Sequence, residues 1–361
     1  MKKITPTFPF PVIRYLGMVM AIFMLANCGT KDLEFMEPYE FVNDDFDEVE
    51  DLDPVEDPDP EIEEPETGQV NNSDQTEEIL TNILNAEKEE DIQPETQEAL
   101  TTINTVSSTA PASVKEKAAA IDEATVDKIL DVETELDEDL EEVSGQLDQL
   151  SDEIKALLPV IDFSVDTESN PDDRILQGLK QVDMDLEASM RTMAVVGPCA
   201  EAAESAYNEL MSSLTAQRED NLETIEANYQ RRLAEADTRY NSRLTAQVDK
   251  YQENLAQIRS VTTSLIQAAV QLDLLGLSSL AEETRFLALY YALYARFELE
   301  RWNNQALNLL ASRRDVEKAT ALDIKESREA EVNNAFTDRA ESASGIYEGA
   351  VNNCHNQGSG N

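Results

Sequence analysis

Cysteine and histidine are the scarce reactive residues of this chain. The sequence contains three cysteines, Cys28, Cys199 and Cys354, and a single histidine, His355. One histidine excludes a metal site with several histidine ligands and argues against a histidine-dependent catalytic triad. For an exported chain, Cys199 and Cys354 predict one disulfide, because a metal-binding cysteine pair would lack further ligands.

Carboxylates, in contrast, are too numerous to single out an acid–base pair. The chain has 75 Asp and Glu residues against 28 Lys and Arg, a formal net charge of −47. It contains no glycine-rich phosphate loop, no Gly-x-Ser-x-Gly elbow and no His-Glu-x-x-His motif. We therefore expect no enzymatic activity, no cofactor and no bound metal. Such a polyanion also argues against nucleic acid as a partner, because that binding depends on Lys and Arg.

The chain begins with a basic and then apolar segment that is typical of a secretory signal. Lys2, Lys3 and Arg14 precede an uncharged run, residues 15–26, that is too short to span a bilayer. The run ends in Leu25-Ala26-Asn27-Cys28, which resembles the lipobox of bacterial lipoproteins. The resemblance implies that residues 1–27 are removed and that Cys28 is acylated. The alternative is an ordinary secretory signal in which Cys28 is incidental.

The residues that follow Cys28 bear on location. Lys31-Asp32-Leu33-Glu34 resembles the surface-export tag of Bacteroidota lipoproteins. The expected location is therefore the cell envelope, as an outer-membrane lipoprotein facing the periplasm or the cell surface. Removal of residues 1–27 takes away three positive charges and no negative ones, which leaves a mature net charge of −50.

Residues 28–72 form an acidic leader. Residues 29–70 hold 18 acidic residues against one Lys, and five prolines lie between Pro38 and Pro65. Such a composition cannot bury enough apolar surface to offset the chain entropy. We predict a disordered, self-repelling linker between the lipid anchor and the folded part.

Residues 73–197 read as an acidic helical region. The apolar residues from Leu136 to Leu157 recur in alternating steps of four and three, which predicts a coiled-coil helix over about 123–158. Asn170, followed by Pro171, is typical of a helix start and predicts a further helix to about Val195.

Residues 198–361 carry the clearest structural signal. No proline lies between Cys199 and Cys354, and Gly276, a typical helix stop, lies at the midpoint of the two cysteines. An antiparallel hairpin turning near Gly276 would therefore place the cysteines side by side. The predicted fold class is all-α: an elongated helical bundle or coiled coil with a long antiparallel hairpin, preceded by the disordered acidic linker.

One segment of the hairpin, residues 286–302, is apolar around most of the helix. Such a helix is normally buried, which favours a core position. Two alternatives remain open: an exposed interaction patch, or a membrane-perturbing tip similar in architecture to α-helical pore-forming toxins. The patch would consist of Phe286, Tyr290, Tyr291, Tyr294, Phe297 and Trp302.

In the hairpin register four arginines lie at one level: Arg239, Arg243, Arg313 and Arg314. Their guanidinium groups repel one another unless anions lie close by. The acidic helix over residues 133–142 could dock there and supply them. The alternative is a solvated surface with local ion pairs.

These observations predict a membrane-anchored envelope lipoprotein that acts as a coiled-coil scaffold or interaction protein. Its expected partners are the membrane, through the lipid anchor, and a protein partner or a second copy, through the helices. The alternatives are a membrane-perturbing protein that uses the apolar hairpin tip and a cargo-binding lipoprotein.

Overall fold

The computed structural model of the chain describes residues 41–162 and 197–356. The predicted signal peptide, Cys28 and the helix predicted from Asn170 to Val195 lie outside these residues. Regular structure in the described part is almost entirely helical, which confirms the all-α class. The helices are α1 Asp74–Leu84, α2 Pro94–Ser107, α3 Ala112–Ala119, α4 Glu123–Leu130, α5 Glu138–Ser144, α6 Asp152–Lys155, α7 Pro198–Leu274 and α8 Ser278–Asn356. Short 3-10 turns occupy Asn43–Glu48, Glu89–Asp91 and Leu147–Gln149.

The predicted hairpin is confirmed. Helices α7 and α8, of 77 and 79 residues, are separated by a turn in which Gly276 has a φ of 81°. The Leu277 N–H donates to the Leu272 carbonyl at 2.9 Å, and the Gly276 N–H donates to the Asp273 carbonyl at 3.1 Å. These two bonds satisfy the last carbonyls of α7 in the manner of a Schellman motif, which needs a left-handed residue and therefore favours glycine.

The described chain divides into two compact units that do not follow the chain order. The first contains residues 41–52, 197–218 and 334–356. Here Cys199 and Cys354 form the predicted disulfide, with their Cα atoms 5.8 Å apart. A small apolar cluster of Leu52, Leu214, Phe336 and Ala340 completes this unit.

The second unit contains residues 53–162 and 219–333. The strands β1 Gln69–Asn71 and β2 Val160–Asp162 pair antiparallel, so the chain that carries α1 to α6 starts and ends at one place. Side chains from α1 to α6 share one hydrophobic core with α7 and α8. Polar contacts support this packing: Arg296 on α8 donates to four backbone carbonyls of residues 129–134, at the end of α4 and just after it.

The apolar segment 286–302 lies inside this core. Phe286, Tyr290, Tyr291 and Trp302 are buried, and Tyr294 packs partly buried against the same core. The prediction of an exposed interaction patch is therefore wrong for these side chains, and the core alternative is confirmed. The physical reason is that α1 to α6 cover the segment, as expected for a helix that is apolar on all sides.

The predicted coiled-coil helix over 123–158 is also wrong as a continuous helix. The chain there forms α4, α5, a 3-10 turn and α6. The apolar residues of the pattern do enter the core, including Leu140, Val143, Leu147 and Ile154. Aspartates interrupt the helix, because Asp137 accepts from the Leu140 N–H and caps a new helix start instead of continuing the preceding one.

The predicted disorder of the acidic linker does not hold for its described part in the second unit. Residues 53–67 form no helix or strand, yet their side chains and backbone bind the hairpin at successive points. Charge explains the difference: the composition argues against a core of its own, but the arginines of the hairpin neutralise the carboxylates. We call residues 53–67 the strap. The part of the predicted linker before residue 41 lies outside the described residues.

Candidate interaction groove

The strap contacts three members of a line of four buried polar side chains on α7: Asn221, Arg232 and Arg243. Asn221, Arg232, Arg243 and Asn254 are each at least nine-tenths buried, and successive members are 11 residues apart. Eleven residues correspond to about three helical turns, so the four residues share one face of the helix. This face, together with Arg313 and Trp302 of α8, is called the groove below.

At the N-terminal end of the strap, the groove binds backbone groups. Asn221 accepts from the Val55 N–H through Oδ1 at 3.3 Å and donates from Nδ2 to the Asp53 carbonyl at 3.0 Å. A side-chain amide that binds both a donor and an acceptor holds an extended segment whatever its side chains. Asn221 therefore positions the strap without recognising its side chains.

Further along the strap, the groove binds charged side chains. Arg232 donates to Asp57 Oδ1 at 2.8 Å and Oδ2 at 3.0 Å, and both side chains are almost completely buried. Arg232 also donates to Asp59 and to the carbonyls of Asp57 and Pro58. Burial acts to lower the pKa of Arg232, but the hydrogen bonds to Asp57 and Asp59 outweigh it and raise that pKa. In turn, hydrogen bonding to Arg231 lowers the pKa of Asp59.

Further along, Arg243 joins the strap to both helices. It donates to Glu64 at 2.8 Å and to the buried Glu317 of α8 at 2.7 Å. Glu317 also accepts from Arg239 at 2.9 Å. The hydrogen bond from Arg243 lowers the pKa of Glu64, and Glu64 raises the pKa of Arg243. The charge on the strap thus completes a network that links α7 to α8.

The structure places all four predicted cluster arginines near anions, but not the anions expected. Besides the contacts of Arg239 and Arg243, Arg313 donates to the Glu63 carbonyl at 3.0 Å. Arg314 pairs with Asp315 and lies over the ring of Tyr240. The acidic residues expected to dock, those of 133–142, do not pair with the cluster; Lys117 binds two of them, Asp137 and Asp139.

The strap ends against the aromatic core. The Trp302 Nε1–H donates to the Thr67 carbonyl, and Lys250 contacts the Thr67 hydroxyl at 3.4 Å. Trp302 is the only tryptophan of the chain and is almost fully buried. Trp302, which was predicted to belong to an exposed patch, is therefore a core residue that binds the end of the strap.

The spacing of these contacts defines how extended the strap is. The strap runs from Asp53 to Thr67, while its partners on α7 run from Asn221 to Lys250. The numbering along the helix therefore advances about twice as fast as the numbering along the strap. At a helical rise of 1.5 Å the partners span about 44 Å, or about 3.1 Å per strap residue, which is the rise of a polyproline II helix. Two helical residues thus correspond to one strap residue.

The first unit shows the same kind of contact for the residues before the strap. Gln217 accepts from the Leu52 N–H at 2.8 Å and donates to Asp51 at 2.6 Å. Arg339 of α8 pairs with Glu50 at 3.0 Å. Here too, an amide side chain and a guanidinium of the long helices hold an acidic, extended segment.

Sequence reasoning missed Asn221 and Arg232. The signal that could have found them is the 11-residue spacing of Asn, Arg, Arg and Asn at 221, 232, 243 and 254. The acidic leader offered the matching charges, but its composition alone does not show that they are bound.

A separate cavity of about 440 Å³ lies between α2, α3 and the start of α8. Its carboxylate Glu283 is buried, and one of its oxygens, Oε2, has no hydrogen-bond partner. Burial raises the pKa of Glu283, and the neighbouring Glu282 adds to the effect. Lys115, which also lines the cavity, donates instead to the Ser108 carbonyl. The cavity therefore contains a destabilising group but no complete catalytic set.

Among the helices that the structure describes, none has a stretch that is long and apolar enough to cross a membrane. Comparison of the chain with protein-family models, with curated proteins and with solved structures finds no match in any of the three. The groove and its strap are thus the best-defined candidate site in the described residues.

Proposed function

We propose that this chain is a lipid-anchored scaffold of the cell envelope, held to the membrane through Cys28. One observation carries the proposal: the strap, which lies downstream of the candidate acylation site, is bound along the hairpin by the buried Arg232–Asp57 ion pair and by the Arg243–Glu64 pair. Residues 53–67 are therefore part of the folded structure. A scaffold requires such a firm link between its anchor and its helices.

The chemistry of the strap supports this role. An apolar strap would be free to slide along the groove, whereas charges paired at fixed intervals specify one register. Asp57 with Arg232 and Glu64 with Arg243 fix two separate points along the strap. The buried Asp57–Arg232 pair contributes little net stability, but it makes the attachment specific.

The burial of the apolar segment also favours the scaffold over the membrane-perturbing alternative. Tyr291 and Trp302, which a membrane-inserting tip would expose, are covered by the helices α1 to α6. Insertion would first require this shared core to open. The scaffold needs no such rearrangement, and its partners would be a protein or a second copy of the chain.

Metabolic labelling tests the anchor. Cells that express the full chain would be grown with an alkyne-tagged fatty acid, and the protein would be isolated through a C-terminal tag. We expect label on the wild type and none on Cys28→Ser. Cys199→Ser is the matched control, which removes a different cysteine and should retain the label. Equal labelling of the wild type and Cys28→Ser would contradict the proposal.

Crosslinking in intact cells, followed by mass spectrometry, tests the scaffold role. We expect a reproducible envelope protein, or the chain itself, crosslinked to exposed positions on the helices. The Cys28→Ser variant should lose envelope partners, because it is no longer held at the membrane. Recovery of the wild type without any crosslinked protein would argue against a scaffold.

A further inference from the structure

We propose that the groove is a receptor for the strap of a second copy of this chain, so that neighbouring copies can exchange straps. The proposal deepens the scaffold function above, which would bring copies together on one membrane. It identifies both the surface used for self-association and the segment that fills it. The exchanged element is the same in both copies, which is the usual route of domain swapping.

The contacts in the groove do not depend on which chain supplies the strap. Asn221 binds backbone groups of Asp53 and Val55, and Trp302 binds the backbone of Thr67. Arg232 binds both the side chain of Asp57 and two carbonyls. A strap of the same sequence from another copy can form every one of these bonds.

The strap is joined to the rest of its own unit through a permissive hinge. Gly68, between the strap and β1, has a φ of 68°. Glycine adopts other backbone conformations there at little cost, so the strap can leave without disturbing the β1–β2 pair. No strap side chain belongs to the main hydrophobic core, and its apolar residues Val55 and Ile62 are only half-buried. Release therefore exposes little apolar surface.

Charge complementarity identifies the occupant. Residues 53–67 contain eight acidic residues, four prolines and no basic residue. The groove presents Arg232, Arg243 and Arg313 to them, and the adjacent Arg231 pairs with Asp59. Within one copy the short connection at Gly68 gives the strap a high effective concentration, so exchange becomes competitive where copies are crowded.

The test uses two full-length variants that each lose their own strap contact. The first carries Arg231→Glu and Arg232→Glu, which reverses the groove and leaves the strap acidic. The second carries Asp57→Arg and Asp59→Arg, which reverses the strap and leaves the groove basic. When the two are mixed, the acidic strap meets a basic groove, and the basic strap meets an acidic groove.

We expect each variant to be monomeric alone and the mixture to give a species of twice the monomer mass in light scattering. A matched pair, Asp237→Lys and Lys318→Asp, reverses an ion pair between α7 and α8 outside the strap. Mixing that pair should leave monomers. Monomers in the strap mixture would overturn the proposal, provided that both variants keep their helical circular dichroism and the Cys199–Cys354 disulfide.

A second measurement needs no mixing of variants. A fluorescent peptide of residues 53–67 should bind the variant with the reversed strap, whose groove is intact, and should bind the variant with the reversed groove at least tenfold more weakly. Equal binding to both variants, or to neither, would overturn the proposal. Both experiments use protein without a membrane, so their failure is distinguishable from the absence of lipid on Cys28.

Discussion

The replacement of Asp57 by Asn tests how far a single buried charge holds the strap. Asn has nearly the same shape and can still accept one hydrogen bond, but it carries no charge. Arg232, which is 5% exposed, would lose the partner that it contacts with two nitrogens. The perturbation is therefore a buried cation that loses its main counter-charge and keeps Asp59, with the packing unchanged.

The magnitude follows from what Arg232 retains. Removal of one member of a buried ion pair costs about 3–5 kcal/mol when nothing replaces it. Arg232 keeps Asp59 at 3.1 Å and two backbone carbonyls at 3.0 and 3.1 Å. We therefore expect a cost below that range, about 2–3 kcal/mol. This corresponds to a roughly 30- to 140-fold increase in the equilibrium constant for opening of the strap.

Native-state hydrogen exchange measures this opening. The Val55 N–H is bound by Asn221 and should exchange faster by the same factor, whereas amides in the middle of α8 should not change. Glu63→Gln is the control, because the Glu63 side chain is 85% exposed and lies 3.5 Å from its arginine. An exposed pair of this kind contributes about 0–1 kcal/mol, so its effect on exchange should be small.

Two results would refute the reasoning. If Asp57→Asn raised exchange of the strap no more than Glu63→Gln does, the burial of the pair would have no energetic consequence. If exchange rose equally in the strap and throughout α8, the strap would not open separately from the hairpin. Either result would remove the basis for treating the strap as a distinct segment.

Three further predictions concern other parts of the molecule. The double variant Cys199→Ser, Cys354→Ser should unfold at a lower denaturant concentration, with a loss of up to ~5 kcal/mol for a loop of 155 residues; an unchanged midpoint would contradict this. Glu283→Gln should stabilise the protein at pH 7 by about 1–3 kcal/mol, because the unpartnered buried carboxylate no longer has to carry a charge. The raised pKa in the folded state means that this gain grows as the pH rises from about the ordinary value of 4.5 and is small below it; a gain independent of pH in chemical denaturation would refute the assignment. Acid should release the strap, because the pKa of Glu64 is lowered by Arg243 and its contribution is therefore present above the ordinary value and lost as the pH falls through the folded pKa. The emission of Trp302 should report this release as a red shift below about pH 4.5, and a shift already complete at pH 6 would contradict it.

The hairpin could be predicted because its signals are local and independent. Gly276 stops a helix through its own backbone, and the two cysteines lie at equal distances from it along the chain. Neither inference needs knowledge of what else packs nearby.

The breaks within residues 123–158 and the binding of the strap could not be predicted, because hydrophobic periodicity and composition do not show tertiary contacts. The step pattern from Leu136 to Leu157 predicted residues that do pack in the core but predicted the wrong continuity, because Asp137 caps a new helix start within the pattern. The composition of the strap showed that it cannot fold by itself. It could not show that arginines far away in the sequence, on α7, bind it.

The two-to-one correspondence between helix and strap restricts how the length of this protein can change. A block of about 11 residues added to α7 is about 16.5 Å long and requires five to six additional strap residues. An equal block in α8 is needed to keep Glu317 beside Arg243. Insertions and deletions in this region should therefore occur as coordinated changes in three separate segments, and a lone insertion in any one of them would move every later arginine away from its carboxylate.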